Sequence, residues 1–495
     1  CKVKTLEATK AKAVSGVVAV VAIPTGVAVV AKDFWSAKKG RDALTVDWDE
    51  SQAVKTSSAE LYTQYKALAQ TPGAVAKKEG DAASALPKCV KRVDAEFEFP
   101  FLAHASMETL NCVVQISKDG CEVWNGEQNQ TGDQFAIAAA LGIRPDQVKL
   151  NQLLVGGSFG RRANPKSDYL LEAVAIAKAI NQGPTAGVPV KMLWTREDDM
   201  AGGYYRPLYV HRVSAGLDAQ GKPLAWQQRI VGQSIAAGTP FEPMMVQNGV
   251  DVTSVEGAAN LPYAIPNFQV ELHSPRVGIP IQWWRSVGST HTAFSTETIV
   301  DDLATLAGKD PVAFRTELLA KFPRHLGVMK LAADKAGWGK PLAKGKPGQR
   351  RGRGIAVHES FHTFVAQVAE VTVSQDGSFT VDRVVCAVDC GIIINPDVVV
   401  AQMEGGIGYG LSAALSGAIT LTNGEVDQSN FHDYPVLRLP EMPKVEVHTV
   451  SSTENPTGVG EPATPVIAPA VANALFAATG KRLRKLPFQT SELKA

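Results

Sequence analysis

Apolar and polar residues alternate along the chain with two different periods, and each period predicts one kind of element. Valine-rich runs and segments that alternate at a period of two predict strands, whereas apolar residues spaced by three or four predict helices. The predicted strands are residues 17–23, 27–32, 148–155, 364–374 and 379–388. The predicted helices are residues 58–69, 133–141, 169–180, 295–306, 405–415 and 464–479. Asp310 followed by Pro311 predicts the start of one more helix. Aspartate is a preferred N-cap residue, and proline is well accommodated at the first position of a helix.

Residues 13–31 carry no charge and are numerous enough to be considered as a membrane span. Pro24-Thr25-Gly26 interrupts this run at its middle, and valine dominates both halves. Valine favours strands, and a proline–glycine pair favours a turn. The pattern therefore favours a hairpin of two short strands over a membrane helix.

Shifts in composition divide the chain into three parts. Residues 1–95 are predicted to form a small α/β unit, in which residues 74–87 are small, polar and charged and are predicted to be a surface linker. Residues 96–345 mix strands and helices, and residues 346–495 open with strands. The basic segment 340–353 lacks the interleaved aromatic residues of a nucleic-acid site, so we interpret it as a solvated loop. The predicted fold class is a multidomain α+β protein with several antiparallel sheets.

Composition and charge exclude several classes of protein. The 495 residues are 45% hydrophobic and 20% charged, which is typical of a packed protein and not of a disordered one. The 50 Lys+Arg nearly balance the 49 Asp+Glu, and a net charge of +1 argues against a broad nucleic-acid surface. The six cysteines include no C-x-x-C pair, so we expect neither a disulfide scaffold nor a zinc ribbon or iron–sulfur cluster within this chain.

Two cysteine features leave alternatives open. Cys1 could be an N-terminal nucleophile, a lipidated cysteine or a boundary left by cleavage, and the last is favoured because no partner base is visible nearby. Cys386 and Cys390 have a C-x-x-x-C spacing that could bind metal on a helix. The segment has the pattern of a strand end, so we expect two buried thiols.

The sequence His358-Glu359-Ser360-Phe361-His362 matches the H-E-x-x-H pattern of zinc peptidases. That chemistry needs a helix, because only a helix places the two histidines one turn apart on the same face. The surrounding residues alternate at a period of two, and on a strand the two histidines would lie about 13 Å apart. One zinc ion could not bind both, so the match is expected to be accidental.

Three further motifs could carry chemistry or could be structural. The glycine-rich segment GGSFGRR (156–162) follows a predicted strand and could place backbone N–H groups against an anion, or it could form a tight turn. The segment WWRSVGS (283–289) could hold a flat ligand or a stacked structural arginine. In GVGEP (458–462), Glu461 precedes a proline and a predicted helix start, and could be a base with a shifted pKa or a capping residue on a surface turn. These residues alone favour the capping role.

Seven segments resemble the molybdenum-binding large subunit of the xanthine oxidase family, and in particular its isoquinoline 1-oxidoreductase β-subunit-like members. They occur along this chain in the same order as in the family. The segments are WNGEQNQTGDQ (124–134), GGSFGRR (156–162), WTREDDM (194–200), WRSVGSTHTAF (284–294), AVDCGIIINP (387–396), QMEGGIGYG (402–410) and GVGEP (458–462). The resemblance covers nearly the whole chain. It implies a small hammerhead-like α/β domain over residues 1–95, followed by cofactor-binding α+β domains over residues 96–345 and 346–495, the second with the catalytic glutamate.

The resemblance also implies the cofactor and the residues around it. The cofactor would be molybdenum held by a molybdopterin, in its cytosine dinucleotide form, with no protein side chain as a metal ligand. Glu461 matches the family glutamate that acts as the catalytic base, and Gln128 matches the glutamine that hydrogen-bonds the metal's oxo group. The remaining implied cofactor-binding residues are Gly157, Ser158, Phe159, Gly160, Arg161, Arg285, Gln402 and Gly460.

The resemblance implies an oxidoreductase that oxidises an aldehyde, or hydroxylates an N-heteroaromatic carbon with oxygen from water. Arg161, Arg162 and Ala163 stand where purine-specific relatives have a glutamate, which argues against a purine substrate. Electrons would pass to a small 2Fe–2S subunit and then to an acceptor such as a cytochrome. The glycine–glutamine–glycine loop of these family members is absent, so a separate N-terminal fragment or subunit is expected to complete the cofactor site.

These family members often work at the periplasmic face of the membrane, so we expect that compartment, with the cytoplasm as the alternative. Nucleic acid is not expected as a partner. Two alternative functions stay open at this point: a zinc metallopeptidase that uses His358, Glu359 and His362, and a non-catalytic subunit that uses the fold for assembly only.

Overall fold

A computed structural model describes residues 2–494 and shows a mixed α+β protein built from several sheets. The strands in chain order are β1 Lys2–Glu7, β2 Val17–Ile23, β3 Gly26–Ala31, β4 Thr45–Asp49, β5 Ala74–Glu79, β6 Lys91–Phe99, β7 Asn111–Ile116, β8 Cys121–Asn125, β9 Val148–Gln152, β10 Val190–Leu193, β11 Tyr209–Leu217, β12 Pro223–Gly232, β13 Val246–Gln247, β14 Val250–Asp251, β15 Asn267–His273, β16 Arg350–Ser360, β17 Thr363–Val373, β18 Phe379–Asp389, β19 Leu421–Thr422, β20 Glu425–Val426 and β21 Lys444–Thr449. The helices are α1 Thr9–Lys12, α2 Phe34–Asp42, α3 Ser58–Ala69, α4 Ala82–Ala85, α5 Gln130–Leu141, α6 Asp168–Ile180, α7 Arg196–Ala201, α8 Glu242–Met245, α9 Val252–Val255, α10 Ser289–Ala307, α11 Pro311–Leu318, α12 Pro323–Ala336, α13 Pro396–Ser416 and α14 Thr464–Thr479.

Three larger sheets organise these strands, and the predicted fold class is confirmed. Their strand orders are β10-β7-β8-β9, β5-β15-β12-β11-β6 and β16-β17-β18-β21. Most neighbouring strands are antiparallel, whereas β8–β9, β12–β15 and β18–β21 are parallel pairs. Helix α10 packs against the second sheet and against α14, and α14 packs against the third. The largest apolar core lies between these two sheets.

The contact between α14 and β16 is unusually close because β16 carries glycine where it faces the helix. A Cβ atom at Gly354 would lie 2.1 Å from the backbone nitrogen of Ala474, and one at Gly352 would lie 2.1 Å from the carbonyl oxygen of the same residue. Any larger residue at either position would push α14 away from the sheet. The two glycines therefore help to set the position of the helix whose first turn follows Glu461.

Several predicted elements have the predicted bounds, and the hairpin at residues 17–31 is confirmed as β2 and β3, joined by a tight turn. No helix within residues 2–494 is both long and apolar enough to cross a bilayer. Asp310 caps α11 by accepting hydrogen bonds from two backbone N–H groups, as predicted. Cys386 and Cys390 are free, buried thiols, as predicted. Cys1 lies outside the described residues.

Other predictions were wrong in part. Residues 74–87 are not a linker, since β5 is the edge strand of the five-stranded sheet and pairs with β15. The basic segment is a loop only as far as residue 349, because Arg350 begins β16. Helix α10 begins six residues before the predicted start, at Ser289, and α13 begins nine residues early, at Pro396. The predicted strand 148–155 ends at Gln152. The division at residues 95 and 345, and the hammerhead-like character of the first part, stay predictions.

Candidate active site

Glu461 lies in the turn that leads into α14, and its carboxylate is held at one oxygen. The backbone N–H of Ser286 donates to Oε1 at 2.8 Å, and the Ser286 hydroxyl donates to the Glu461 carbonyl oxygen at 2.5 Å. The residue is partly buried. Among residues 2–494, no group donates a hydrogen bond to Oε2. The carboxylate is thus oriented by a fixed donor while one oxygen is left free to accept a proton, which fits a base better than a cap.

Arg285 connects the Glu461 turn to α13. Its Nε donates to the carbonyl oxygen of Gly460 at 2.8 Å, and one terminal nitrogen donates to Oε1 of Gln402 at 3.0 Å. The guanidinium also lies 5.9 Å from the ring centroid of Tyr409. Because a guanidinium carries several donors in one rigid plane, it can hold two segments at a fixed separation.

The glycine-rich segment brings Gln128 and Phe159 to the same place. The Ser158 hydroxyl donates to Oε1 of Gln128 and accepts from the backbone N–H of Arg162 at 3.0 Å. Phe159 has a φ of +57°, and its carbonyl oxygen accepts a hydrogen bond from the backbone N–H of Arg285 at 3.0 Å. Its ring stacks on Tyr409 at 4.2 Å, and the ring of Tyr409 stacks on Trp284 at 4.4 Å.

A continuous series of contacts therefore joins residues from five of the seven sequence motifs. It runs from Gln128 through Ser158 and Phe159 to Arg285 and Ser286, and from these two to Gln402, Gly460 and Glu461. The residues are up to 333 positions apart in the sequence, counting from 128 to 461. Contacts between segments so far apart give one polar site with an aromatic wall.

The two glycines just before Glu461 leave room for a ligand. Ideal Cβ atoms on Gly458 and Gly460 would meet nothing within 4 Å, so the backbone beside Glu461 faces open space. Gly157 and Gly160 have φ values of +99° and +108°, which other residues rarely adopt. Gln128 is exposed, and its amide nitrogen donates to no group of residues 2–494. Exposed donors and open backbone around an aromatic wall fit a large polar cofactor such as molybdopterin.

Arg161 does not present its side chain to this site. Its guanidinium is 5% exposed and pairs with Asp168 at 2.6 Å, and it lies over the rings of Trp194 and Tyr204. Arg162 is likewise buried and donates to Asn125 and Glu108. The two arginines that follow the glycine-rich turn therefore bind buried partners and hold the turn in place. Any contact of Arg161 with a cofactor would have to come from its backbone.

Sequence reasoning did not single out Tyr409, Ser286 or Glu256. Tyr409 could have been found, because it lies seven residues after Gln402 and so on the same helical face. Glu256 gave no such signal. Its carboxylate accepts from the backbone N–H groups of Gly288 and Ser289 at the start of α10. Burial, together with the charge of Glu461, raises the pKa of Glu256 to about 7, so the site contains a second carboxyl group close to the first.

The zinc hypothesis is wrong. His358 and Glu359 lie on β16, and His362 lies with Phe361 in the two-residue turn between β16 and β17, where both have positive φ. Because the segment is a hairpin, the two histidines cannot share one helical face. No group of His, Cys, Asp and Glu in residues 2–494 is arranged to hold a metal ion.

Two buried carboxyl groups, those of Glu127 and Asp133, flank Gln128 in the sequence. Asp133 is 1% exposed, its Oδ1 accepts from the Ser167 hydroxyl at 2.6 Å, and its Oδ2 has no partner in residues 2–494. Burial raises the pKa of Asp133 to about 7, and the charges of Glu127 and Asp168 contribute to this rise. Burial also raises the pKa of Glu127, whose Oε2 lacks a partner in the same part of the chain.

We expect Asp133→Asn to make the folded protein more stable than the wild type at high pH. The folded state binds the Asp133 proton more tightly than the unfolded state, so the stability contributed by this residue falls as the pH rises from about 4 to about 7. The amide should therefore raise the melting temperature at pH 8 and change it little at pH 5. Thermal unfolding from pH 5 to 8 tests this, with the exposed Asp119→Asn as the matched control. Equal effects of the first variant at both pH values would contradict it.

Known proteins resemble this chain in sequence. The profile of the molybdopterin cofactor-binding domain matches residues 67–319, and a second profile of the same description matches residues 327–443. The β-subunit of the isoquinoline 1-oxidoreductase of Brevundimonas diminuta is 32% identical over 97% of this chain and 62% of its own length. The membrane-bound aldehyde dehydrogenase (pyrroloquinoline-quinone) of Gluconacetobacter polyoxogenes is 29% identical over 99% and 66%, and a nicotinate dehydrogenase subunit of Pseudomonas putida is 27% identical over 97% and 41%. This chain thus spans 41% to 66% of the length of these three relatives.

Solved structures share the fold. The quinoline 2-oxidoreductase of Pseudomonas putida 86 superposes with a TM-score of 0.81 at 14% identity, covering 99% of this chain and 92% of that one. The aldehyde oxidoreductase of Desulfovibrio gigas has a TM-score of 0.78 at 16% identity, covering 99% and 75%. At these identities the likeness establishes the architecture only.

Proposed function

The chain belongs to the molybdopterin cofactor-binding family of the xanthine oxidase type, and from this premise we propose that it is the catalytic part of a molybdenum-dependent oxidoreductase. It would oxidise an aldehyde to an acid, or hydroxylate a carbon beside the nitrogen of an aromatic ring, with water as the oxygen source. The names of the three relatives, which mention isoquinoline, aldehyde and nicotinate, support this range of substrates.

The observation that carries the proposal is the series of contacts between Gln128 and Glu461. The exposed amide of Gln128, the backbone of residues 157–160 and the open turn at Gly460 would hold the cofactor. When bound, the cofactor supplies a metal electrophile and an acceptor for two electrons. The chain itself has to orient the substrate and move a proton.

Glu461 is the group best placed to move that proton. Ser286 fixes Oε1, so Oε2 keeps one orientation and is free to act as a general base. Arg285 holds the carbonyl oxygen of the preceding residue and so limits movement of the turn. The stacked rings of Phe159, Tyr409 and Trp284 form an apolar wall, which favours a flat substrate and excludes water.

Finer details of the assembly are also part of the proposal. We propose the cytosine dinucleotide form of the cofactor, a small partner subunit with two 2Fe–2S clusters, a polypeptide that completes the cofactor site, and a cytochrome as electron acceptor. Two of the three relatives are named as subunits, which supports a complex of several chains. We propose the periplasmic face of the membrane as its location, and fractionation of producing cells tests this point.

Metal and cofactor analysis of the purified complex tests the core of the proposal. We expect one molybdenum per chain, a pterin that releases a cytosine nucleotide on hydrolysis, iron–sulfur absorption from a co-purifying subunit, and reduction of a dye by aldehyde or N-heteroaromatic substrates. A complex that assembles without molybdenum would instead indicate an assembly subunit and would overturn the proposal.

Replacing Arg285 with methionine should lower turnover about 100-fold, because loss of its contacts frees both the Glu461 turn and Gln402, and small displacements at a reacting centre are costly. The measurement is kcat per bound molybdenum, which separates slow turnover from loss of cofactor. Arg276→Met is the matched control, since Arg276 is 80% exposed and makes a surface ion pair only. Equal kcat values in the two variants would show that Arg285 does not order the site.

A further inference from the structure

A small cavity lies on the buried side of the aromatic wall. It has a volume of about 20 Å³, enough for an occupant the size of one or two water molecules. Trp284 forms part of its wall, and small residues of α13 and α14, with Leu102 and Leu486, supply most of the rest. Its polar lining comes from three side chains, those of Arg206, Thr290 and Thr464. We call this space the Arg206 cavity.

Arg206 is a buried cation without a counter-charge. The residue is 3% exposed and forms no ion pair with any residue of 2–494. One terminal nitrogen donates to the Pro100 carbonyl oxygen at 2.6 Å, the other reaches Thr290 Oγ1 at 3.5 Å, and Nε has no partner in the same part of the chain. Burial lowers the pKa of the guanidinium only to about 10, so it keeps its charge at neutral pH. Buried charges are normally paired, because an isolated one is strongly destabilising.

Other features around the cavity also favour negative charge. Thr464, the first residue of α14, is 3% exposed, and its hydroxyl has no partner in residues 2–494. Helix α14 has 16 residues and no side-chain cap at its start. Thr290 is the second residue of the 19-residue helix α10. The positive ends of two long helices therefore meet at a cavity that already contains an unpaired guanidinium.

We propose that the Arg206 cavity binds a small monovalent anion, chloride, between Arg206 and Thr464. Both side chains offer donors, and an anion supplies the negative charge that no residue of 2–494 provides to Arg206. A water molecule would accept the same hydrogen bonds but would leave the guanidinium uncompensated. The backbone N–H of Thr464 donates to the carbonyl oxygen of Glu461 at 3.0 Å, so an anion held by Thr464 would stabilise the turn that carries Glu461. The proposal does not depend on the activity of the enzyme.

Diffraction and thermal unfolding test the site directly. Crystals of the complex soaked in sodium bromide should show an anomalous bromide peak in the cavity between Arg206 and Thr464. At constant ionic strength, replacing gluconate with about 100 mM chloride should raise the melting temperature by about 2 to 3 °C, with a saturable dependence on chloride. An empty or water-filled cavity in bromide would overturn the proposal, and so would a peak without any effect of chloride in solution.

Variants separate this site from general salt effects. Thr464→Val keeps the shape of the side chain and removes the hydroxyl, so the chloride needed for half of the stabilisation should rise about tenfold. Thr298→Val is the matched control, because Thr298 is equally buried, on α10, and donates only to carbonyl oxygens of its own helix, chiefly that of Phe294. Arg206→Met should abolish the chloride dependence. An unchanged chloride response in Thr464→Val would overturn the assignment, whether or not the Arg206 variant folds.

Discussion

Replacing Glu461 with glutamine should reduce kcat by about 100- to 10,000-fold, the range expected when a general base is removed. Glutamine is nearly the same size and can still accept the Ser286 N–H bond through its amide oxygen. The turn, the contacts of Arg285 and the bound cofactor should therefore be retained. What is lost is the one group of this turn that can accept a proton.

The measurements are kcat and KM for the best substrate of the complex, together with molybdenum and pterin content. Glu454→Gln is the matched control, because Glu454 is an exposed carboxylate in the same loop and should be dispensable. If the Glu461 variant keeps the cofactor and turns over at the wild-type rate, the base must be another group. Glu256 would then be the next candidate, since its carboxyl group lies nearby and its pKa of about 7 suits proton transfer.

Replacing Arg315 with methionine should destabilise the protein by about 3 to 5 kcal/mol, because it leaves the Glu297 carboxylate buried and unpaired. Neither side chain is more than 1% exposed, and their Nε and Oε2 atoms lie 3.1 Å apart. Glu297 also accepts hydrogen bonds from the Tyr263 hydroxyl at 2.5 Å and from the Val357 backbone N–H at 3.0 Å. The pair thus joins α10 and α11 to β16 in the centre of the molecule.

Chemical denaturation measures the free energy of unfolding of the Arg315 variant and of the wild type, provided that both the midpoint and the slope of each curve are recorded. Arg144→Met is the matched control, since Arg144 also pairs with a carboxylate, that of Asp146, through two nitrogens at 3.0 Å, but is 73% exposed. Its loss should cost less than about 1 kcal/mol, as for exposed ion pairs in general. A similar cost for both variants would show that burial does not determine the strength of the Arg315 pair.

Sequence patterns predicted an element well where its apolar residues and its end signals agreed. Helices α3 and α14 have the predicted bounds, because a serine cap starts one and a glycine ends the other. The start of α10 was missed because its first two turns consist mainly of serine, threonine and histidine, which are buried here against other polar groups. Burial of polar residues depends on partners that are distant in sequence, so no local pattern reveals it.

The same limit applies to the site. Family motifs indicated Gln128, Arg285 and Glu461, and the structure shows that they are linked by polar contacts. The inward direction of Arg161 and the role of Ser286 could not be predicted, because both depend on backbone angles at turns. Residues 159 and 286 have φ values of +57° and +76°, although neither is glycine. Such conformations are imposed by the fold around them.

The contacts of Arg285 also constrain the order in which a working enzyme can be produced. Gln128, Arg285, Gln402 and Glu461 come from distant parts of the polypeptide, and ribosomal synthesis delivers Glu461 after the other three. Before α14 has docked, a partly made chain contains neither the closed turn nor the proposed base. Insertion of a large, fragile prosthetic group should therefore be a late event in biogenesis, following tertiary folding, and cells that lack the cofactor should accumulate a folded apoprotein that can be activated afterwards.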